Sequence, residues 1–252
     1  MDLCHNKNAL KGGFSVPRFF TSAIDGDRAI LTGEDASHIT RSLRLRPGEA
    51  VTLCDGSGWD YEGIIASTGE EVTVDIREKR TSSTEPRGKI TLYQALPKGD
   101  KMEWIIQKSV ELGVFRIVPI LTSRCVSRPD AKSMEKKVQR FNKIAAEAAK
   151  QSGRGILPKV SGLLTLEQAA KDVSGKGIVF YEKGGARLAE LIAPEDTEIG
   201  IFVGSEGGFA PEEIALLEKA GVEPATLGRR ILRCETAPIC GLSVLLSLLG
   251  DI

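Results

Sequence analysis

Ile199-Gly200-Ile201-Phe202-Val203 runs straight into Gly204-Ser205-Glu206-Gly207-Gly208, and Pro211 follows three residues later. The apolar run has the length of a buried strand. The glycines permit the close main-chain approaches of a ligand-binding turn. Pro211 suits the first turn of a helix running to Ala220. Strand, glycine loop and helix in that order form the unit of an α/β layer with a mostly parallel sheet. Ligands of such sheets bind beyond the carboxyl ends of the strands.

The loop does not spell a phosphate site. A P-loop needs a Lys-Ser/Thr pair after its glycines, and none follows; the dinucleotide pattern G-x-G-x-x-G is absent as well. A second loop stands downstream: Leu227-Gly228-Arg229-Arg230-Ile231-Leu232-Arg233-Cys234-Glu235-Thr236-Ala237-Pro238, ahead of an apolar helix at Ile239–Leu249. Burying an unpaired arginine is costly. These arginines therefore either pair with Glu206 and Glu235 or grip a substrate. Leu227, Ile231 and Leu232 fit core packing as well as the faces of a ligand. Thr236 fits a helix N-cap as well as a ligand contact, and Glu235 fits a salt bridge.

Working upstream, the same alternation continues. Lys89–Ala95 reads as a strand. Asp100 is placed to cap a helix with Met102, Ile105, Ile106 and Ser109 inward, stopped at Gly113. Phe115–Leu121 is a strand, followed by a basic helix ending at Gly153. Met134, Val138, Phe141, Ala145 and Ala148 form its buried stripe; Lys132, Lys136, Lys137, Arg140 and Lys143 recur at helical spacing beside it. A short helix at Leu166–Val173 precedes a strand at Gly177–Tyr181. Before residue 81 the texture changes to short strands at Ala29–Leu31, Ala50–Cys54, Tyr61–Ala66 and Glu71–Ile76, with one helical piece at Asp35–Leu45 carrying Ile39 and Leu43. This is the profile of a small β-barrel. Thr81–Pro86 has a linker's composition, and residues 1–13 read as a flexible leader.

Composition bounds the chemistry. The chain has 252 residues and zero formal net charge, and its two histidines are His5 and His38. A Ser-His-Asp triad or a multi-histidine metal centre is thereby excluded from the α/β part, and no metal site is expected. His38 reads as a surface or packing residue rather than a catalyst. Five widely spaced cysteines without a C-x-x-C pair indicate free thiols in a reducing compartment. No secretory signal is seen, and Ile239–Leu249 is too short to span a bilayer. Charge is neutral only in sum: residues 86–160 hold 16 Lys/Arg against 6 Asp/Glu, while the flanking blocks are acidic. Such a basic block suits a polyanion.

Several ordered blocks resemble one family. "PRFF" at 17–20, "HITRSLRLRPG" at 38–48, "LPKGDKMEWIIQKSVELGV" at 96–114, "AAEAAKQSGR" at 145–154, "VGSEGGF" at 203–209 and "LGRRILRCETA" at 227–237 are similar to the bacterial 16S rRNA (uracil-1498-N3)-methyltransferases of the SPOUT superfamily. The resemblance implies a PUA-like RNA-binding β-barrel at 14–82 and a trefoil-knotted SPOUT domain at 83–252. It implies a cytoplasmic homodimer that takes S-adenosylmethionine and methylates N3 of a uridine in 16S rRNA or the small ribosomal subunit. The rival readings are a SPOUT enzyme for another RNA nucleotide and a non-catalytic RNA-binding assembly factor.

Carried onto this sequence, the resemblance assigns Gly204, Glu206, Gly207, Gly208, Leu227, Gly228, Ile231, Leu232 and Thr236 to the cofactor. The implied reaction needs a base, for which Glu206 and Glu235 are both open, and a cation near the uracil oxygens, for which Arg233 and Arg230 are; Arg233, Arg230 and Glu235 are the catalytic candidates. Arg18, Arg44, Arg46, Lys98, Lys101, Arg124 and Arg154 are the RNA-contact candidates. Two positions depart from the family pattern. Ser205 stands where the family has Pro, losing a fixed φ. Cys234 stands where it has Thr, exchanging a hydroxyl for a weak donor.

Overall fold

The computed structural model describes residues 16–252. The expected leader, His5 and Cys4 lie outside them. The chain divides after Thr81 into two compact units.

In the first unit, β1 (Arg18–Phe20), β2 (Ile24–Asp25), β3 (Arg28–Leu31), β4 (Ala50–Cys54), β5 (Trp59–Ser67) and β6 (Val72–Thr81) form one sheet in the order β1-β4-β5-β6-β3-β2. Only the β1–β4 pair is parallel. The alternation of Val72 and Val74 with polar neighbours sends both into a core shared with Phe19, Leu31, Leu53 and Ile65. The helical piece departs from expectation. Gly33–Ser37 (α1) is α-helical, but His38–Leu43 is a π-helix closed by the Arg44 N–H on Ile39 O. The wider turn breaks the i,i+4 stacking: Ile39 is buried, whereas Leu43 is exposed. His38 packs edge-on against Phe19.

The second unit has an eight-stranded sheet in which every pair is parallel. Its strands are β7 (Lys89–Ala95), β8 (Arg116–Leu121), β9 (Lys159–Val160), β10 (Leu164–Thr165), β11 (Lys176–Phe180), β12 (Ala186–Arg187), β13 (Glu198–Val203) and β14 (Val222–Thr226). The order is β10-β8-β7-β13-β11-β14-β12, with β9 beside β8. The helices are α2 (Lys101–Glu111), α3 (Ala131–Ser152), α4 (Leu166–Asp172), α5 (Leu188–Leu191), α6 (Pro211–Lys219) and α7 (Thr236–Leu248).

From β7 the chain steps through α2 and α3 towards β8 and β9. From β13 it steps through α6 the other way, to β14. Right-handed crossovers in opposite directions place their helices on opposite faces. The packing agrees: α2 lies against α3 and α7, and α4 lies against α6. β7 and β13 are neighbours, so the topology switches between them, and the crevice beyond their carboxyl ends is where a ligand fits. β14 sits between β11 and β12, although those two are consecutive in the chain.

Four local expectations need correction. Asp100 holds the N-cap position of α2 but makes no side-chain capping bond. Thr81–Pro86 is not a loose linker, because β6 runs through Thr81 and the Glu85 carboxylate accepts from the N–H groups of Gly155 and Ile156. Arg154 is not an RNA contact. It is 3% exposed. Its Nε and Nη2 bind Glu85, while Nη1 donates to the main-chain oxygens of Val110, in the last turn of α2, and of Val114, just beyond it. Burial alone would raise the Glu85 pKa, but Arg154 and the two N–H groups more than offset it, and the carboxyl is held below its usual range. Arg18 is likewise removed from the RNA candidates, since its fork is committed to buried Asp60.

Candidate active site

A cleft of about 540 Å³ lies beyond β13, on the side of β11 and β14 rather than of β7. Its first wall is the loop after β13. A Cβ on Gly204 would stand 2.9 Å from the Gly208 Cα, and Gly208 itself has φ +64°, so both positions require glycine. The Gly208 N–H closes on Ser205 O at 3.0 Å. Arg124 donates to Gly207 O at 2.8 Å, from a side chain so close that a Cβ on Gly207 would meet its Cβ at 2.9 Å. Fully buried Gln94, at the end of β7, donates to Gly204 O at 3.3 Å and so bridges the switch point. Ser205 is buried, with its hydroxyl towards Arg124 O at 3.5 Å.

The second wall is the loop after β14. Gly228, at φ +105°, turns the chain. The main-chain N–H groups of Arg229, Arg230, Ile231 and Leu232 find no acceptor among the described residues. Arg229, Arg230 and Arg233 are exposed and make no ion pair there, and Ile231 is 83% exposed. The core-packing reading of Ile231 is thereby excluded within one copy of the chain.

Lys101, from the first turn of α2, joins the two walls. Its Nζ lies 3.0 Å from Glu206 Oε1 and 3.3 Å from Glu235 Oε2. The expected pairing of the loop arginines with these carboxylates is therefore replaced by a lysine from another element. Lys98 N–H adds a bond to Glu206. Partial burial pushes the Glu206 pKa up, but Lys101, its own main chain and Lys98 outweigh this and hold it low. Glu235 is also held low: burial is outweighed by the Cys234 thiol, its own main chain and Lys101. The Lys101 ammonium is raised, chiefly by its bond to Glu206. Burial, then the neighbouring Glu235 and Glu206, push the Cys234 thiol up to about 12, and it donates to Glu235 at 3.2 Å. The cleft thus carries fixed negative charge beside unpaired N–H donors, with mobile positive charge at its mouth.

The structure gathers most of the residues singled out in the sequence. Gly204, Glu206, Gly207 and Gly208 line the cleft with Leu227, Gly228, Ile231 and Leu232, and so do Arg230, Arg233 and Glu235. Thr236 does not. It is the first residue of α7, exposed, and neither lines the cleft nor caps the helix. Lys101, assigned to RNA, belongs to the cleft instead. Lys98, Arg44 and Arg46 are exposed. Sequence reading missed Gln94 and the segment Phe180-Tyr181-Glu182, which also lines the cleft. The strand ending at Tyr181 was the available signal, since its carboxyl end had to reach the same edge.

Comparison with known proteins decides the family. The profile described as RNA methyltransferase domain matches residues 83–246, and the one described as RNA methyltransferase PUA domain matches residues 31–77. This chain belongs to the RNA methyltransferase family. Ribosomal RNA small subunit methyltransferase E of Bacillus subtilis is 33% identical over 226 residues, 85% of this chain and 88% of that protein. The Synechocystis protein of the same name is 33% identical over 227 residues, 87% of this chain and 73% of its own. Among solved structures, Ribosomal RNA small subunit methyltransferase E from Neisseria gonorrhoeae, bound to S-adenosyl methionine, superposes with a TM-score of 0.83 at 30% identity. It covers 93% of this chain and 98% of that one. A Legionella pneumophila chain in complex with the cofactor SAM gives 0.81 at 31% identity over the same shares. The family thus assigns an α/β methyltransferase domain to the second unit and a PUA-like domain to the first.

Proposed function

We propose that this chain transfers a methyl group from S-adenosylmethionine to N3 of a uridine in 16S rRNA of the small ribosomal subunit. The observation that carries the reading is the composition of the cleft. Its volume suits a nucleoside-sized ligand. The free N–H groups of residues 229–232 are the donors an adenine needs. Glu182 and Glu206 supply carboxylates for a sulfonium and an ammonium, and would oppose a phosphate. The relatives named for small-subunit rRNA supply the substrate class.

Bound there, S-adenosylmethionine supplies an already activated methyl group, which leaves positioning and electrostatics to the protein. The uracil N3–H must lose its proton for the nitrogen to attack. Arg230 and Arg233, free of partners among the described residues, stabilise the resulting anion at its oxygens. Glu235, ionised at neutral pH, accepts the proton. N3 lies on the Watson–Crick edge, so the base enters unpaired or flipped.

Two further features belong to this reading. The placement of β14 between β11 and β12 supports a trefoil-knotted topology. Trp104 on α2 is 45% exposed, Val244 on the adjacent α7 is 39% exposed, and Ile231 is more exposed still. These apolar surfaces support a homodimer. No described helix is long and apolar enough to cross a membrane, and a ribosomal substrate supports a cytoplasmic enzyme.

The test is methyl incorporation from labelled S-adenosylmethionine into small subunits from a strain lacking the gene, followed by mass mapping. Label on one uracil N3 establishes the reaction. Label on another nucleotide, or none, overturns it.

A further inference from the structure

The basic face of α3 has no part in the cleft. Lys132, Lys136, Lys137, Arg140 and Lys143 are all exposed. Residues 132, 136, 140 and 143 follow one stripe about 16 Å long, in steps of about 6 Å at 1.5 Å per residue. Among the described residues, the side chains of Lys132, Lys136, Lys137 and Lys143 make no ion pair or hydrogen bond; of the five, only Arg140 is paired, with Glu103.

The helix holds without this stripe. Asp130 caps it by accepting from Ser133 N–H, Met134 and Phe141 are buried, and Asn142 ties it to both main-chain groups of Val160 on β9. No acidic residue lies in the first turn, but the Asp130 carboxylate at the N-cap supplies the negative charge that the helix dipole favours. Like charges at i,i+4 in the pairs 132/136 and 136/140 are offset by Glu135 beside Lys132 and Glu147 beside Lys143. The stripe is therefore close to neutral for the helix, which leaves its free lysines to a ligand.

Its position names the use. α3 starts just after the loop that leaves the carboxyl end of β8, at the same sheet edge as the cleft. That loop touches the cleft directly: Arg124 holds Gly207 O, and Ser123 N–H bonds the Glu213 carboxylate at the start of α6. Exposed Ser133 and Gln139 stand among the cations instead of the apolar anchors that a membrane-lying helix requires.

We propose that this face of α3 is a rail for the sugar-phosphate backbone of the RNA whose base enters the cleft. The proposal rests on the reading of the substrate as RNA. Regularly stepped cations suit regularly stepped phosphates, and binding by such a rail is salt-dependent and indifferent to sequence.

The experiment compares Lys132→Gln/Lys136→Gln with a control of equal charge, Lys171→Gln/Lys219→Gln, on exposed lysines of α4 and α6. Binding to transcribed 16S rRNA is measured from 50 to 200 mM salt, and methylation of unmodified small subunits in parallel. Losing two phosphate contacts makes the salt slope shallower by about 1.4–1.8. Wild-type affinity then falls about tenfold more than the α3 variant's over that range. KM for subunits rises, while kcat, S-adenosylmethionine affinity and Tm are maintained; the control follows the wild type. An unchanged slope in the α3 variant, or an equal change in the control, overturns the rail alone. A wild-type protein that binds no RNA and methylates none overturns the functional reading and the rail with it.

Discussion

In the loop after β13, Gly204 O, Gly207 O and Gly208 N–H are each bonded, and Glu206 is held by Lys98 and Lys101. In the loop after β14, four consecutive N–H groups and three arginines have no partner among the described residues. One wall is assembled before anything binds. The other is completed by what binds. Preorganisation lowers the cost of holding a ligand, so the first wall should govern cofactor affinity. Free arginine side chains at the mouth are suited to charge that develops during reaction, so those of the second wall should govern turnover, while its N–H groups join the first wall in holding the cofactor.

The sharpest way to break this contrast is Arg233→Ala. It should lower kcat by about 10²–10³, the cost of removing one donor to a developing anion, with S-adenosylmethionine affinity by calorimetry unchanged. A parallel fall in affinity would show that the Arg233 side chain holds the cofactor as well. Gly204→Val should have the next largest effect. Its side chain meets the Gly208 backbone, and a strain of up to about 3 kcal/mol weakens cofactor binding about a hundredfold. Unaltered affinity would show that the first wall is not preformed.

Lys101→Met separates the walls, and a three- to fivefold loss of turnover is expected from a partly exposed ion pair, restored by Lys101→Arg. Its pH signature is more specific. Lys101 holds Glu206 and Glu235 below the usual 4.5, so its stabilisation is complete above that pH and is lost as pH falls through their lowered values. The Tm difference between wild type and Lys101→Met should therefore be widest near neutrality and close in acid. A difference independent of pH would remove the carboxylates from the account. The smallest effect is expected at Cys234. A buried thiol pushed up to about 12 is a protonated donor and a poor nucleophile. Cys234→Thr should keep turnover within about twofold, and iodoacetamide at pH 8 should leave Cys234 unlabelled by mass spectrometry.

The strand, glycine loop and helix at 199–220 were legible because each carries a local signal: an apolar run, clustered glycines, a proline at a helix start. β14 was not. It is five residues long with Pro224 at its centre, and its strand identity comes from β11 and β12 on either side. β9, β10 and β12, of two residues each, are too short to show a period. The arginines divide in the same way. Arg154 follows the glycine that ends α3 and looks like a loop cation; its partner Glu85 lies 69 residues earlier. Local sequence reports that a charge exists, whereas its partner is a property of the fold. The same limit hid Lys101, whose two carboxylates come from two other loops.

The position of β14 has a consequence for how the chain is made. Synthesis delivers β11 and β12 before the strand that separates them. Until residue 226 leaves the ribosome, two strand edges near one end of the future sheet stay open, and neither has its final neighbour. A ribosome stalled in the last thirty or so residues would therefore hold a nascent protein with a finished N-terminal unit and a gaping sheet. The interval between those two events is when this protein most needs a chaperone.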